Sequence, residues 1–289
     1  MLFGGSQKRP ANLSTLKSRR IGCVKYLNAR PLIRGWPGEV DFDHPSTLCK
    51  RLASGELDVA LVSSLEFLRN PIYRIVDNVS ISSYGSVYSV IIAHQGKISE
   101  LDEIELDPAA ETSTNLLRCL LAELNLHPRF VEGGAAATLR SDIYGLAGAR
   151  PSTARLLIGD QAIHFRENHR DEFHFWDLGE EWQKIFDVPF VYALWLIRPE
   201  VVEAKRIASR LRRLRDENLD RIDDLIGEEK DFDHDFCHRY YGENLRFSFG
   251  EKERKGLSEF YKRCVKLHLL AHPGLGFAAW DLELAHRCV

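Results

Sequence analysis

The sequence predicts an α/β protein with doubly wound parallel sheets, and three observations carry that expectation. Short β-prone runs (Ile21 to Tyr26, Val40 to Asp43, Val59 to Val62) alternate with helical stretches at the spacing of βαβα units. The run Val59 to Val62 is continuously apolar, as a strand is when helices cover both faces of its sheet. Two long strands, at 88–94 and 189–198, bracket a middle block. If that block is an inserted domain, the two strands are its crossings and a cleft lies between the halves.

Each element has a local reason. Between the first two strands, Asn28-Ala29-Arg30-Pro31 leads into a helix turn, because the missing N–H of a proline is tolerated there. A helix over 45–54 has Ser46 or Thr47 as its cap, Leu48 and Leu52 on one face and Gly55 as its stop. Ser63 and Ser64 cap the short helix that follows the Val59 strand. Thr112, Ser113 and Thr114 open a helix whose Leu116, Leu117, Leu120, Leu121 and Leu124 form a wide buried face. Residues 133–153, rich in Gly, Ala and Ser, read as loop with one weak helix. Leu156 to Ile158 is a buried strand stopped by Gly159 and Asp160, and Phe173, Phe175, Trp176 and Trp182 read as core. Charged amphipathic helices occupy 201–226 and 252–269, where solvated faces are a commoner explanation than a docking surface.

Composition excludes several classes. The 289 residues carry 39 Lys+Arg against 42 Asp+Glu, a formal charge of −3. That length suggests about two domains, and the balanced charge argues against a nucleic-acid or membrane-surface binder. The apolar run Phe190 to Ile197 falls far short of the ~20 residues a membrane helix needs. Residues 1–20 are basic without an apolar signal core and read as a disordered lead-in. The cysteines Cys23, Cys49, Cys119, Cys237, Cys264 and Cys288 form no CxxC pair and read as reduced thiols. A cytoplasmic location is expected, with a small-molecule partner and neither nucleic acid nor membrane.

Ligands of open α/β sheets bind beyond the carboxyl ends of the strands. That places Asn28, Ser63, Ser64, Thr112, Ser113, Gly159 and Asp160 at the cleft, with Ser86 and Ser89 at the first crossing. These groups are mostly neutral hydrogen-bond donors, suited to a small anion, although each serine or threonine alone also reads as an ordinary cap. The chain has no GxSxG, GxGxxG or GxxxxGK[ST] motif. His234 and His238 would share a helix face, but HExxH is absent and no metal site is expected.

Six ordered segments carry a resemblance: IGCVKYLNARPL (21–32), GELDVALVSSLEFL (55–68), SISSYGSVYSVII (80–92), ETSTNLL (111–117), LLIGDQAI (156–163) and DLGEEW with PFVYALW (177–195). Together they resemble the chorismate dehydratase family of the futalosine route to menaquinone, from about residue 21 to about 270. The resemblance implies a two-lobed fold of the type II periplasmic-binding-protein kind, two doubly wound domains joined by two crossover strands. It divides the chain into a lead-in (1–20), one lobe (21–88 plus 195–289) and an inserted lobe (89–194), with the tail after Ala271 as an extension. It also implies a hydro-lyase that removes water from chorismate to give 3-[(1-carboxyvinyl)oxy]benzoate, without a cofactor.

By this resemblance Asn28 and Ser89 are the catalytic candidates. Thr112 and Ser113 fall on the family's serine/threonine pair, which is expected to hold a carboxylate. Ser63, Ser64, Ser86, Gly159 and Asp160 complete the expected substrate-binding set. Three departures stand out: Gly85-Ser86-Val87 replaces G-P-V, Ala110-Glu111-Thr112-Ser113 replaces S-R-T-S, and Phe186-Asp187-Val188-Pro189 replaces T-G-L-P. The replacement of arginine by Glu111 matters to anion binding only if that side chain reaches the cleft. A non-catalytic small-anion binder of the same fold is one alternative. The sibling enzyme that forms a dihydroxynaphthoate is another, although its P-C-P-N-D-like stretch is absent where this chain has Tyr26-Leu27-Asn28.

Overall fold

The computed structural model describes residues 19–107, 110–133, 153–270, 284 and 286–289, and structural statements refer to these. The expected lead-in (except Arg19 and Arg20), nearly all of the Gly/Ala/Ser-rich loop and most of the tail after Ala271 lie outside them.

The strands are β1 (Ile21–Cys23), β2 (Val40–Phe42), β3 (Val59–Ser63), β4 (Arg74–Ser83), β5 (Val90–His94), β6 (Glu103–Leu106), β7 (Arg129–Glu132), β8 (Thr153–Ile158), β9 (His174–Asp177) and β10 (Phe190–Ile197). They form two five-stranded sheets, in the orders β2-β1-β3-β10-β4 and β7-β6-β8-β5-β9. Both sheets follow one plan. Three neighbouring strands run parallel, and an antiparallel strand separates them from the last strand at the edge. In each sheet the antiparallel member (β5 or β10) is the strand the chain enters on arriving from the other sheet. It starts at the cleft and runs away from it, whereas β1, β3, β6 and β8 end there. No sequence repeat announces this duplication.

The sheets are therefore mixed, not purely parallel, and the crossings differ from the expected pair of strands. The first crossing is the irregular segment 84–89, since β5 begins only at Val90 after Gly85 and Tyr88 take positive φ (111° and 67°). The second contains the helix Leu178–Phe186. All of β10 pairs within the first sheet, so the return precedes Phe190 and does not fall at 194/195. Trp182 on the crossing helix is fully buried and packs edge-on against Phe190 and Phe260. At Gly256 the helix Glu251–Lys266 lies so close to the return segment that a Cβ would stand 1.8 Å from the Pro189 carbonyl oxygen.

Two further expectations are corrected. The helix Pro45–Ser54 is capped by His44, without a side-chain bond, and not by Ser46 or Thr47. Pro45 fixes the start, because a residue before proline is held extended. Four strands, β4, β6, β7 and β9, were not anticipated as strands. Arg74–Ser83 hides its pattern behind interior Asp77, Asn78 and serines whose hydroxyls are satisfied by Ser248 and Arg246 carbonyls. Trp182 is core as expected, while Phe173, Phe175 and Trp176 are half-buried. The chain end returns to this sheet, with the Val289 N–H donating to the Ile75 carbonyl at 2.9 Å.

Candidate active site

The cleft between the sheets holds about 710 Å³ of empty space, open solvent at its mouth included. Val24, Leu61, Ile81, Val87, Val90 and Ile158 give it apolar walls, and Asn28, Ser63, Ser89, Thr112, Ser113 and Tyr192 supply polar groups. No lysine, arginine or histidine lines it among the described residues.

Asn28 sits in a 3-10 turn, Leu27–Ala29, between the end of β1 and the Pro31 helix turn. Its Oδ1 is buried and has no hydrogen-bond partner among the described residues. Ser63 ends β3, accepts the Leu65 N–H at 3.3 Å as a helix cap, and is hydrogen bonded through its hydroxyl to Thr112 across the cleft. Ser89 closes the first crossing. Its carbonyl accepts the Gly159 N–H at 2.8 Å and its Oγ accepts the Tyr240 hydroxyl at 2.7 Å.

Thr112 and Ser113 are buried in the first turn of the helix Glu111–Glu123. The residue at its N-cap position, Ala110, makes no side-chain cap bond, and that end of the helix lines the cavity. Gly159 also lines the cleft. It sits at φ +60°, and a Cβ there would lie 3.1 Å from the Tyr26 ring.

Three expected substrate-binding residues are not on the wall. Ser64 is fully buried and donates to the Val191 carbonyl at 2.7 Å. Asp160 accepts the Leu27 N–H at 2.8 Å, which fastens the lobes beside Asn28. Ser86 donates to Asp177 Oδ2 at 2.7 Å. Asp177 also accepts the N–H groups of Val87 and Tyr88 from the first crossing and of Gly179 and Glu180 from the second, and pairs with Arg166 at 3.5 Å. One carboxylate thus ties both crossings together.

Sequence reasoning missed the tyrosines. Tyr26 and Tyr192 line the cavity, while Tyr240 and Tyr241 stand behind it in a π-helical turn, Tyr240–Asn244. The Tyr241 hydroxyl donates to the Leu27 carbonyl at 2.9 Å, and the Asn244 amide donates to the Ser86 carbonyl at 2.9 Å. The RYYGEN stretch follows the acidic-aromatic segment weighed as a metal cluster, and a π-turn is a frequent companion of functional sites. In that segment His234 Nε2 lies 3.3 Å from the Glu229 carbonyl and His238 Nε2 lies 3.7 Å from Asp223. Among the described residues no three His, Cys, Asp or Glu side chains gather to hold a metal.

Electrostatics keep the wall neutral. Burial pushes the Tyr26 hydroxyl up to about 12, with Asp107 and Asp160 adding to the rise. Burial likewise holds Tyr192 well above its ordinary range, aided by Asp177. These hydroxyls stay protonated donors at neutral pH. Glu111 does reach the cavity rim, where it is half-exposed and paired with Arg69. Fixed neutral donors, a helix N-terminus without an N-cap side-chain bond and apolar walls can orient an anion and polarise a departing oxygen.

Two mixed sheets, two crossings and a cleft at the strand ends define a two-lobed fold of the periplasmic-binding-protein kind. Solved structures agree on that fold. The aliphatic sulphonate binding protein of the Escherichia coli periplasm superposes with a TM-score of 0.60 at 9% identity, covering 93% of this chain and 96% of its own. A protein of Archaeoglobus fulgidus gives 0.66 at 18% identity, covering 87% and 98%. Within that class the chain belongs to the menaquinone biosynthesis family, whose model matches residues 19–266. A chorismate dehydratase of Thermus thermophilus is 29% identical over 260 residues, 83% of this chain and 93% of that protein. Among the described residues no helix is long and apolar enough to cross a membrane.

Proposed function

We propose that this chain dehydrates chorismate to 3-[(1-carboxyvinyl)oxy]benzoate, acting as a hydro-lyase that needs no cofactor. The observation that carries this reading is that Asn28 and Ser89 line one cleft furnished with neutral donors. The likeness to the Thermus thermophilus dehydratase supports it.

Chemistry matches this inventory. Removing the C3 proton and the C4 hydroxyl makes the ring aromatic, so the product supplies the driving force. The C3–H electron pair becomes the new ring π bond, the C4–O pair leaves with the oxygen, and the proton completes a water molecule. The proton acceptor is the substrate's own enolpyruvyl carboxylate, since the wall offers no histidine and its one acid, Glu111, is held by Arg69 at the rim. Charge that develops at C3 is conjugated to the ring carboxylate. Thr112, Ser113 and the uncapped helix end hold that carboxylate where the charge accumulates. Asn28 and Ser89 hold the departing C4 oxygen, and closure of the apolar walls keeps bulk water out.

The test is direct. Purified protein incubated with chorismate should generate the benzoate product, followed by its aromatic proton resonances. Asn28→Ala and Ser89→Ala should each lower kcat by about 100-fold or more, the usual loss for one oxyanion-type contact. Tight chorismate binding without product would instead identify a non-catalytic receptor.

A further inference from the structure

Tyr240 is a fully buried tyrosine with no exposed edge for solvent, and its hydroxyl sits at the back of the proposed site. The ring is locked by stacking on Phe236, with centroids 5.5 Å apart and planes 16° from parallel. The hydroxyl donates to Ser89 Oγ at 2.7 Å, and the Asn28 side chain lies beside the same hydroxyl. Burial drives this phenol far above its ordinary ionisation range, so it keeps its proton.

The direction of these bonds has consequences. A phenol has one proton, and here it goes to Ser89, so Ser89 Oγ is an acceptor on that side. Its own proton is then free to point elsewhere. It reaches the Val87 carbonyl only at 3.5 Å, the far limit of a hydrogen bond, so a closer acceptor can capture it. On the same wall, Asn28 Oδ1 is buried without a partner among the described residues.

We propose that Tyr240 is a positioning residue that fixes the polarity of Ser89, so that the wall presents one acceptor (Asn28 Oδ1) and one donor (Ser89 O–H) to a substrate hydroxyl. A hydroxyl is the group that needs one of each. Asn28 Oδ1 accepts its proton in the ground state, and Ser89 donates to its oxygen as the C–O bond breaks and negative charge grows there. Without the tyrosine hydroxyl, the Ser89 proton can turn into the gap behind the wall and the donor to the leaving oxygen is lost. The inference rests on the dehydratase reading, because it assigns the paired groups to the C4 hydroxyl.

Tyr240→Phe keeps the ring and its stacking on Phe236 and removes only the oxygen. The variant should lower kcat for chorismate by about 10–100-fold, below the loss for a direct contact, with KM within about three-fold. Two readouts separate this role from a structural one. First, Tyr240→Phe in a Ser89→Ala background should cost nothing further, because the tyrosine acts through that serine. Second, binding of the benzoate product, which lacks the C4 oxygen, should be unchanged in Tyr240→Phe by titration calorimetry. Should the phenylalanine variant fold poorly, 3,5-difluorotyrosine at 240 keeps both shape and hydroxyl and should retain at least half the wild-type kcat. Wild-type kcat in Tyr240→Phe, multiplicative losses in the double variant, or product affinity falling in step with kcat would overturn the assignment while leaving the dehydratase reading intact. A wild-type protein that makes no aromatic product overturns both.

Discussion

The backbone N–H of Leu27 donates to Asp160 Oδ1 at 2.8 Å, joining the turn that carries Asn28 to the first turn of the helix Gly159–Asn168 in the opposite lobe. With the Ser63–Thr112 and Arg69–Glu111 contacts, this bond bridges the lobes around the cavity. The catalytic candidates are therefore set by interlobe contacts as much as by their own elements.

Asp160 carries a pH signature. Burial raises its carboxyl above the ordinary 3.8, although the Leu27 N–H, Arg30 and His164 pull it down. A raised carboxyl binds its proton more tightly in the folded state. Its contribution to stability is then full below pH ~4 and lost as pH rises through the folded value. Asp160→Asn keeps an oxygen to accept the Leu27 N–H and never ionises. Its melting temperature at pH 7 should equal or exceed that of the wild type, and the difference should shrink on approach to pH 4. A lower Tm at pH 7 would contradict the burial argument.

Gly159 makes closure possible. At φ +60° an L-residue costs about 1–2 kcal/mol, and the new Cβ would press on the Tyr26 ring at 3.1 Å. Gly159→Ala should lose about that much stability by urea titration. It should also raise KM, because Tyr26 must back away and open the cleft. An unchanged KM would show that Tyr26 moves freely without disturbing Asn28.

Asp177 is the joint of the two crossings. Five donors and Arg166 depend on a carboxylate that is only 4% exposed. Among the donors is the N–H of Tyr88, held at φ +67°. Asp177→Ala strands these groups and should cost about 3–5 kcal/mol, the usual result of breaking a buried charge network. Equilibrium unfolding measures it, and a loss under 1 kcal/mol would mean water replaces the carboxylate.

Local chemistry made part of this legible in the sequence. The apolar run at Val59, the leucine face after Thr112 (Leu116, Leu117, Leu120 and Leu121, but not Leu124, which is exposed past the helix end) and the strand ending at Ile158 lie where periodicity puts them, and Asn28, Ser63, Ser89, Thr112, Ser113 and Gly159 do line the cleft. What periodicity could not show was tertiary. Ser64, Ser86 and Asp160 have the same residue types as their cleft-lining neighbours, yet spend their hydrogen bonds on Val191, Asp177 and Leu27. Tyr240 lies 151 residues from Ser89 along the chain, and no spacing rule links them. The strands β6, β7 and β9 are four residues each, too short to establish an alternation.

The Glu111 departure becomes a question of balance at the cleft mouth. Family resemblance led to an arginine beside Thr112, and an acid there should repel a dianion. The structure pairs Glu111 with Arg69 from the first lobe, both side chains nearly half exposed. The pair is nearly neutral as seen from the cavity, and a half-exposed ion pair adds little stability. Arg69→Ala should thus leave Tm almost unchanged but uncover one negative charge at the rim. At the ~1 kcal/mol scale of a solvated charge contact, KM for chorismate should rise about five-fold at low ionic strength. That rise should fade toward 0.5 M salt as the charge is screened, and Arg69→Ala/Glu111→Ala should restore the wild-type KM. A salt-independent rise, or no rescue by the second substitution, would show that Arg69 touches the substrate itself.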